Sequence, residues 1–439
     1  MHLATDLTTE AIGLNRIVEL HAGFLAAAVF VVVFAVIATE KLHKTVIALA
    51  GAAVILISGI VSQKFAFEHV DWNVIFLLFG MMIIAGGMRR SGVFQWLAIR
   101  SAQFTKGNPA GLVVVLLSLT AIASAVLDNV TTVVLIGPLT IFLASRLNIS
   151  PVPLLIGEIL ASNTGGMATL IGDPPNLIVG SAAGLSFMDF LWHMAPVSVV
   201  TTVLVIAYTW VVFRKRLVVA SQDREAIMSM DARAAIVDEV LARKSVVVLA
   251  VTILGFILHG LLHLEPASIA LAGASALLVW AKVDPHHAME DVEWAGLMFF
   301  VGLFVIVSGL LEGGVIGAIA EALANATDND PLLTSISIIM AGGIVSGIVD
   351  NIPMATAMVP VVRELGVTME IEPLWWSLAL GADLGGNLTI IGASANVILA
   401  TLAEREGHKI EFMRFFKHGA IVTIITLIIA SFYVWVRYF

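Results

Sequence analysis

The chain has 439 residues, of which 59% are hydrophobic and only 13% charged. That balance excludes an ordinary soluble domain, because apolar runs long enough to cross a bilayer recur from Gly23 to Val436. Zero cysteines exclude thiol catalysis, disulfides and thiolate metal sites, and the net charge of −9 says less than where the charges fall.

In chain order, a polar N-terminal segment (1–19) shows no basic stretch followed by a cleavage site. No removable signal peptide is expected, and the first span serves as its own insertion signal. The predicted spans of a first unit (20–213) are Gly23–Ala38, Thr45–Val61, Val74–Met88, an interrupted span Pro151–Ala183, and Met194–Val212. A charged linker, Arg214–Lys244, follows. A second unit (245–439) holds Ser245–His263, Ser268–Ala281, Leu297–Leu311, an interrupted span Glu372–Leu402, and Phe415–Val436. Each unit also carries an apolar pair of half-helices, Gly111–Leu147 and Leu332–Leu365, broken by Asp128-Asn129 and Asp350-Asn351. Their polar middles predict re-entrant hairpins in place of straight crossings.

The two units are copies. Ile47–Ala52 (I-A-L-A-G-A) recurs verbatim at Ile269–Ala274, an offset of 222. At the same offset Trp72, Gly80, Gly87 and Gly92 meet Trp294, Gly302, Gly309 and Gly314, Asp128-Asn129 meets Asp350-Asn351, and Pro138 meets Pro360. Five crossings per copy is an odd number, so the second copy is inverted relative to the first. The basic residues agree with this. With ten crossings and two re-entrant hairpins, 19 of the 23 Lys and Arg fall on one side, and only Arg16, Lys64, Arg363 and Arg437 on the other. By the positive-inside rule the rich side is cytoplasmic, which places both termini outside the inner (plasma) membrane. The first hairpin then enters from the cytoplasm and the second from outside. The expected fold is an all-α polytopic membrane protein of two inverted-topology repeats, each of five transmembrane helices with a re-entrant hairpin and a broken helix.

The broken helices carry the most information. Asn163–Asn176 reads N-T-G-G-M-A-T-L-I-G-D-P-P-N, and Asp383–Asn396 repeats it as D-L-G-G-N-L-T-I-I-G-A-S-A-N. Glycines weaken a helix, and Pro174-Pro175 removes two backbone donors in succession. In hydrocarbon an unpaired backbone group costs several kcal/mol, so a break at membrane depth needs a reason, and the usual one is a binding site. The candidate solute-binding residues are therefore Asn129, Thr131, Gly165, Gly166, Thr169 and Asn176 in the first copy. Asn351, Gly385, Gly386, Thr389, Ser394 and Asn396 are those of the second.

Intramembrane carboxylates are functional candidates by default. Asp128, Glu158, Asp173, Asp350 and Asp383 are the coupling candidates, with Asp173 and Asp383 leading. The bland readings stand beside these. Asp128, Asp350 and Asp173 could cap the half-helices that follow them. Glu158, opposite Leu378 in the other copy, could relay protons or pair with a hydroxyl in the bundle. The copies differ where it matters: Asn163 aligns with Asp383, and Asp173 with Ala393. No Lys, Arg or His lies in either hairpin tip or either broken segment, which suits cations, protons or neutral hydroxylated solutes better than multivalent anions. Half-helix N-termini keep an anion reading open. There is no P-loop, no hydrolytic triad and no metal cluster, so no enzyme activity or resident cofactor is expected, and transport runs on an ion gradient.

A hairpin with Asn at its tip, followed by a helix broken at G-G-x-x-T-x-I-G-x-P-P-N, resembles the ion transporter superfamily. That group includes divalent anion/sodium symporters, NhaD-type sodium/proton antiporters, ArsB-type arsenite permeases and the melanosomal P protein. The divalent-anion members show S-N-T at the tips, where this chain has D-N-V and D-N-I; D-N with I-G-D-P-P-N is more similar to the ArsB and P-protein branch. The resemblance implies efflux of arsenite or antimonite by proton antiport. A NhaD-type sodium/proton antiporter is the second reading and a sodium-coupled dicarboxylate transporter the third. It further implies a small inorganic solute and the lipid bilayer as partners and no nucleic acid. A soluble arsenite-stimulated ATPase and a homodimer are compatible with it.

Overall fold

The computed structural model describes residues 22–439 except 38 and 40, with no side-chain description for 221–223 and 226. The polar segment 1–19, Arg16 and Ala38 lie outside the described residues. Every regular element among those described is helical. In the first repeat these are α1 (Ala22–Ile37), α2 (Lys44–Ile57), α3 (Gln63–Glu68), α4 (Trp72–Ser91), α5 (Val93–Phe104), α6 (Pro109–Val126), α7 (Asn129–Arg146), α8 (Val152–Gly166), α9 (Pro174–Ala183), α10 (Phe187–His193) and α11 (Ala195–Phe213). The linker forms α12 (Ser221–Met228) and a 3₁₀ turn, Ala232–Ala235. The second repeat follows as α13 (Glu239–Leu262), α14 (Pro266–Ala281), α15 (Pro285–Glu290), α16 (Trp294–Glu312), α17 (Val315–Ala326), α18 (Pro331–Val349), α19 (Asn351–Leu365), α20 (Glu372–Gly385), α21 (Ser394–Arg405) and α22 (Phe412–Tyr438). The offset of 222 carries α3, α4, α5 and α6 onto α15, α16, α17 and α18, and an offset of 220 carries α9 onto α21.

The hairpins fall close to the expected ranges, with α6 and α7 of 18 residues each and α18 of 19, about 27 Å at 1.5 Å per residue. Asp128 lies in the turn between the limbs of the first hairpin and Asn129 opens α7. Two sequence expectations shift. The linker ends earlier than Lys244, because Asp238 caps α13 by accepting from Val240 N and Leu241 N, both at 2.9 Å. Helices α5 and α17, unassigned from the pattern, occupy matching places after α4 and α16. Among the described residues eight helices are long and apolar enough to cross a bilayer, and the chain is an integral membrane protein of two inverted repeats.

The repeats do not fold side by side. The chain forms two compact units. One comprises the described residues up to Trp72 together with Trp294–Thr334 and Thr356–Leu374; the other comprises Asn73–Glu293, Ser335–Ala355 and Trp375–Phe439. Within the first unit, α2 of repeat one lies against α16 of repeat two, and Gly302 abuts the Ala48 backbone. The second unit contains the equivalent pair with the repeats exchanged, Gly80 of α4 against the Ala270 backbone of α14. Each copy therefore supplies the packing surface that the other needs. In the second unit, Arg89 and Arg90 at the end of α4 both grip Asp291, the latter at 2.5 Å, and the absence of a side chain at Gly86 leaves room for the Asp291 carboxylate.

The hairpins pack on the broken helices with the same economy. The Cβ of an alanine at Gly165 would strike the Ala121 backbone of α6, and one at Gly385 would strike the Gly343 backbone of α18. Gly165→Ala and Gly385→Ala are expected to cost about 1–3 kcal/mol each through overpacking. Gly260→Ala, with open space around it, gains about 0.5–1 kcal/mol from helix propensity. Thermal unfolding of the three purified variants in detergent checks the ordering.

Candidate functional site

The site lies in the second unit, where α7, α8, α9, α19, α20 and α21 converge. Both breaks are stitched to their hairpins in the same way. In the first repeat Ser124 Oγ donates to Ser162 O at 2.7 Å and Thr169 Oγ1 to Ala125 O at 2.5 Å. In the second, Ser346 Oγ donates to Ala382 O and Thr389 Oγ1 to Gly347 O, each at 2.6 Å. Carbonyls at the breaks are taken up by an asparagine one turn into the next half-helix. Asn176 Nδ2 donates to Thr169 O at 3.0 Å and to Gly166 O at 3.5 Å; Asn396 Nδ2 donates to Thr389 O at 3.0 Å and Gly386 O at 2.7 Å. A buried carbonyl left unpaired costs about 1–3 kcal/mol, which is why an amide side chain stands at each position.

Around these clamps the polar side chains form one connected cluster. Asp173 accepts from Asn129 Nδ2 at 2.6 Å on Oδ2 and from Asn351 Nδ2 at 3.1 Å on Oδ1, so one carboxylate joins the tips of both hairpins. Asn129 Nδ2 also reaches Asn163 Oδ1 at 3.3 Å, and Asn163 Nδ2 donates to Asn387 Oδ1 and Asn396 Oδ1, both at 3.0 Å. Asn163, Asp173, Asn176, Asp383, Asn387 and Asn396 are fully buried. The charged neighbours that bear on Asp173 are Asp383, Asp350 and Asp128, all acidic. Several atoms of the cluster have no partner: Asn129 Oδ1, Asn176 Oδ1 and both Asp383 carboxylate oxygens among the acceptors, and Asn387 Nδ2 among the donors.

The other candidates fall elsewhere. Asp128 caps α7, accepting from Thr131 N at 2.7 Å and Thr131 Oγ1 at 2.6 Å, so the Thr131 hydroxyl is turned to Asp128 and not to the amide cluster. Asp350 accepts from Ile352 N and Ser394 Oγ, each at 3.1 Å, with its own backbone at a φ of 95°, a strained conformation of the kind that gathers at functional sites. Asp173 makes no cap: Pro174 and Pro175 have no N–H to offer it. Glu158 accepts from Thr140 Oγ1 on α7, and its Oε2 is unpartnered. Gly165, Gly166, Gly385 and Gly386 allow close backbone approach, and Thr169 and Thr389 are used as stitches. Asn163 and Asn387 were not among the candidates, yet they hold the cluster together. Asn163 was signalled by its alignment with Asp383, whereas Asn387 was only an amide inside an apolar run with no polar partner in the repeat (Met167 aligns there).

Two cavities lie at opposite ends of α4. One of about 420 Å³ meets its start at Asn73 and Val74 and reaches Leu170 and Leu177 at the first break. The other, about 240 Å³, meets its end at Gly86 and Arg89 and reaches Val130 and Thr131 beside the first hairpin tip.

Inverted repeats, paired broken helices and a buried polar cluster define a membrane transporter. Comparison with known proteins agrees and gives its family: residues 34–381 match the model of the CitMHS family, described as "Citrate transporter", and the chain belongs to that family. Two uncharacterised transporters of Mycobacterium tuberculosis are 42% and 43% identical over 424 and 425 residues, covering 94% of this chain and 98% and 99% of theirs. The P protein of Homo sapiens is 30% identical over 94% of this chain and 60% of its own length. In fold, the chain is similar to the Alcanivorax borkumensis YdaH transporter, with a TM-score of 0.58 at 13% identity, over 84% of this chain and 86% of that one.

Asn396→Ala would free the Gly386 and Thr389 carbonyls and remove one of the two acceptors of Asn163 Nδ2. It is expected to cost about 1–3 kcal/mol, the penalty for stranding buried polar groups. Thr131→Val, which removes a hydroxyl outside the cluster, is expected to cost less. Melting temperatures in detergent compare the two.

Proposed function

We propose that this transporter exports arsenite or antimonite in exchange for protons. The observation that carries the reading is the imbalance in the buried cluster: its unpartnered atoms are mostly acceptors, and no basic side chain lies on either hairpin tip or either broken segment. Such a site wants a ligand rich in hydrogen-bond donors. At neutral pH arsenite and antimonite are uncharged trihydroxides, and three O–H groups supply what the asparagine and aspartate oxygens lack. A polycarboxylate such as citrate brings mainly further acceptors and negative charge, which a buried acidic site repels. The two cavities serve as vestibules to the two sides, and alternating access closes one as the other opens. The excess of basic residues on one side makes that side cytoplasmic and the termini external. The proton gradient supplies the driving force, with no ATPase subunit required.

Sodium/proton exchange is the second reading, favoured by the two bare oxygens of Asp383, which would suit a small cation. The test is a bacterial strain lacking its own arsenite and sodium pumps and expressing this protein. The expected result is growth on arsenite that a proton uncoupler abolishes, and arsenite accumulation by everted vesicles driven by a pH gradient without sodium. Rescue only on high sodium at alkaline pH would replace the proposal with cation exchange. Citrate uptake without arsenite movement would replace both.

A further inference from the structure

The linker between the repeats runs back along α5. Arg224 lies against Gly107, Gln103 Nε2 donates to Met230 O at 2.7 Å and Ile227 O at 3.4 Å, and Val237 N donates to Ser91 O at 3.0 Å. Between linker and helix is a cavity of about 910 Å³, lined among others by Trp96, Arg100 and Phe104 of α5, Val115 of α6, and Met228 and Arg233 of the linker. Trp96, Arg100 and Phe104 follow at intervals of four and so form one stripe along α5. The offset of 222 that pairs α5 with α17 carries this stripe onto Ala318, Ala322 and Ala326. Indole, guanidinium and phenyl ring therefore belong to the first copy alone, on a helix whose duplicate manages with alanine.

The charge and the depth of the cavity narrow what it can hold. Its charged lining residues are Arg100, Arg233 and Asp231, and Asp231 Oδ1 accepts from Arg233 N at 2.9 Å. Two guanidiniums against one carboxylate leave one positive charge. Among the described residues neither guanidinium is in an ion pair. Phe104 is 83% exposed, and Met228 and Val114, beside Val115, are exposed as well. Val115 stands six residues into α6, about 9 Å from its start at 1.5 Å per residue, on a helix apolar enough to cross a bilayer. The cavity thus reaches from a charged linker to the apolar flank of a membrane helix. A soluble anion has no use for the second half of that wall; an amphiphile uses both. Helix α5, with 12 residues, is too short to cross and carries Trp96, a residue type that anchors at the membrane surface.

We propose that this cavity binds an anionic phospholipid from the membrane face that carries the linker. The phosphodiester lies between Arg100 and Arg233, and an acyl chain runs past Phe104, Met228 and Val115. One excess positive charge matches the one negative charge of a phosphodiester, whereas a zwitterionic headgroup brings a cation to a cavity already positive. The lipid adds a second tie between linker and α5 beside the Gln103 amide. Helix α5 in turn packs on α7, so the lipid sits one helix removed from the first hairpin.

Trp96 reports on the cavity directly. Purified protein in detergent micelles is titrated with phosphatidylglycerol carrying brominated acyl chains, which quench indole fluorescence on contact, and in parallel with phosphatidylcholine carrying the same chains. The expected result is quenching by phosphatidylglycerol in excess of that by phosphatidylcholine, and loss of the excess in Trp96→Phe. Arg100→Gln combined with Arg233→Gln is expected to weaken phosphatidylglycerol roughly 30-fold, about fivefold for each arginine at a membrane surface. Arg214→Gln combined with Lys215→Gln, on the same linker but outside the cavity, is expected to leave the titration unchanged. Equal quenching by the two lipids, an excess that survives Trp96→Phe, or the same loss in both double variants overturns the proposal. Displacement of the brominated lipid by glycerol phosphate as readily as by plain phosphatidylglycerol would show a headgroup site without an acyl seat, and overturns it too. Both arginines are exposed, so their double variant is expected to fold. Should it not, Val115→Phe decides, because it fills the apolar end without touching a charge; it is expected to remove the excess, and an unchanged excess overturns the proposal.

Discussion

A helix broken inside a membrane must satisfy its own loose backbone groups, and much of the site depends on how this chain does so. There is no bulk water at that depth to accept the debt, so at each break an asparagine gives both N–H groups to carbonyls of the interrupted turn. The consequence reaches further than stability. Once Asn176 and Asn396 are committed in this direction, their carbonyl oxygens face the shared interior as acceptors. Asn396 Oδ1 meets a donor in Asn163 Nδ2, and Asn176 Oδ1 stays among the unpartnered acceptors of the cluster.

The same economy runs through the packing. Glycines let backbones meet at Gly80 with Ala270 and at Gly302 with Ala48, an exchange in which each repeat uses the other as its partner surface. At Gly165 with Ala121 and Gly385 with Gly343, the first half of each broken helix lies directly on a limb of the hairpin. Serine and threonine hydroxyls add one stitch each on either side of that contact. Hairpin and broken helix are thereby held as one body in each repeat, and Asp173 joins the two bodies by bonding both tips. A transporter needs such a joint to be strong enough to hold a closed site and weak enough to yield, and a buried carboxylate held by two amides has that character.

Much of this was legible in the sequence because duplication makes the signal redundant. Two copies of G-G-x-x-T-x-I-G located the breaks, and the constant offset paired the helices of the two copies. The hairpins were legible because Asp128-Asn129 interrupts an apolar run, and the interruption is the turn itself, with Asp128 between the limbs and Asn129 the first residue of α7. The roles of individual polar residues were the least legible. Thr131, Thr169, Thr389 and Ser394 have the composition of solute ligands but spend their hydroxyls on neighbouring groups, a choice set by side-chain direction. Asn163 and Asn387 were not chosen as solute-binding candidates for the opposite reason. Only the folded geometry brings residues 224 apart into a hydrogen bond.

The account turns on a buried cluster whose unpartnered atoms are mostly acceptors, and the most direct measurement is whether arsenite and protons move against each other. Purified protein in liposomes would be given a pH difference across the membrane, and arsenite accumulation recorded without sodium. The account predicts arsenite accumulation on the acidic side that an uncoupler abolishes. Arsenite that never rises above the level of protein-free liposomes, or accumulation that only a sodium gradient drives, would contradict it.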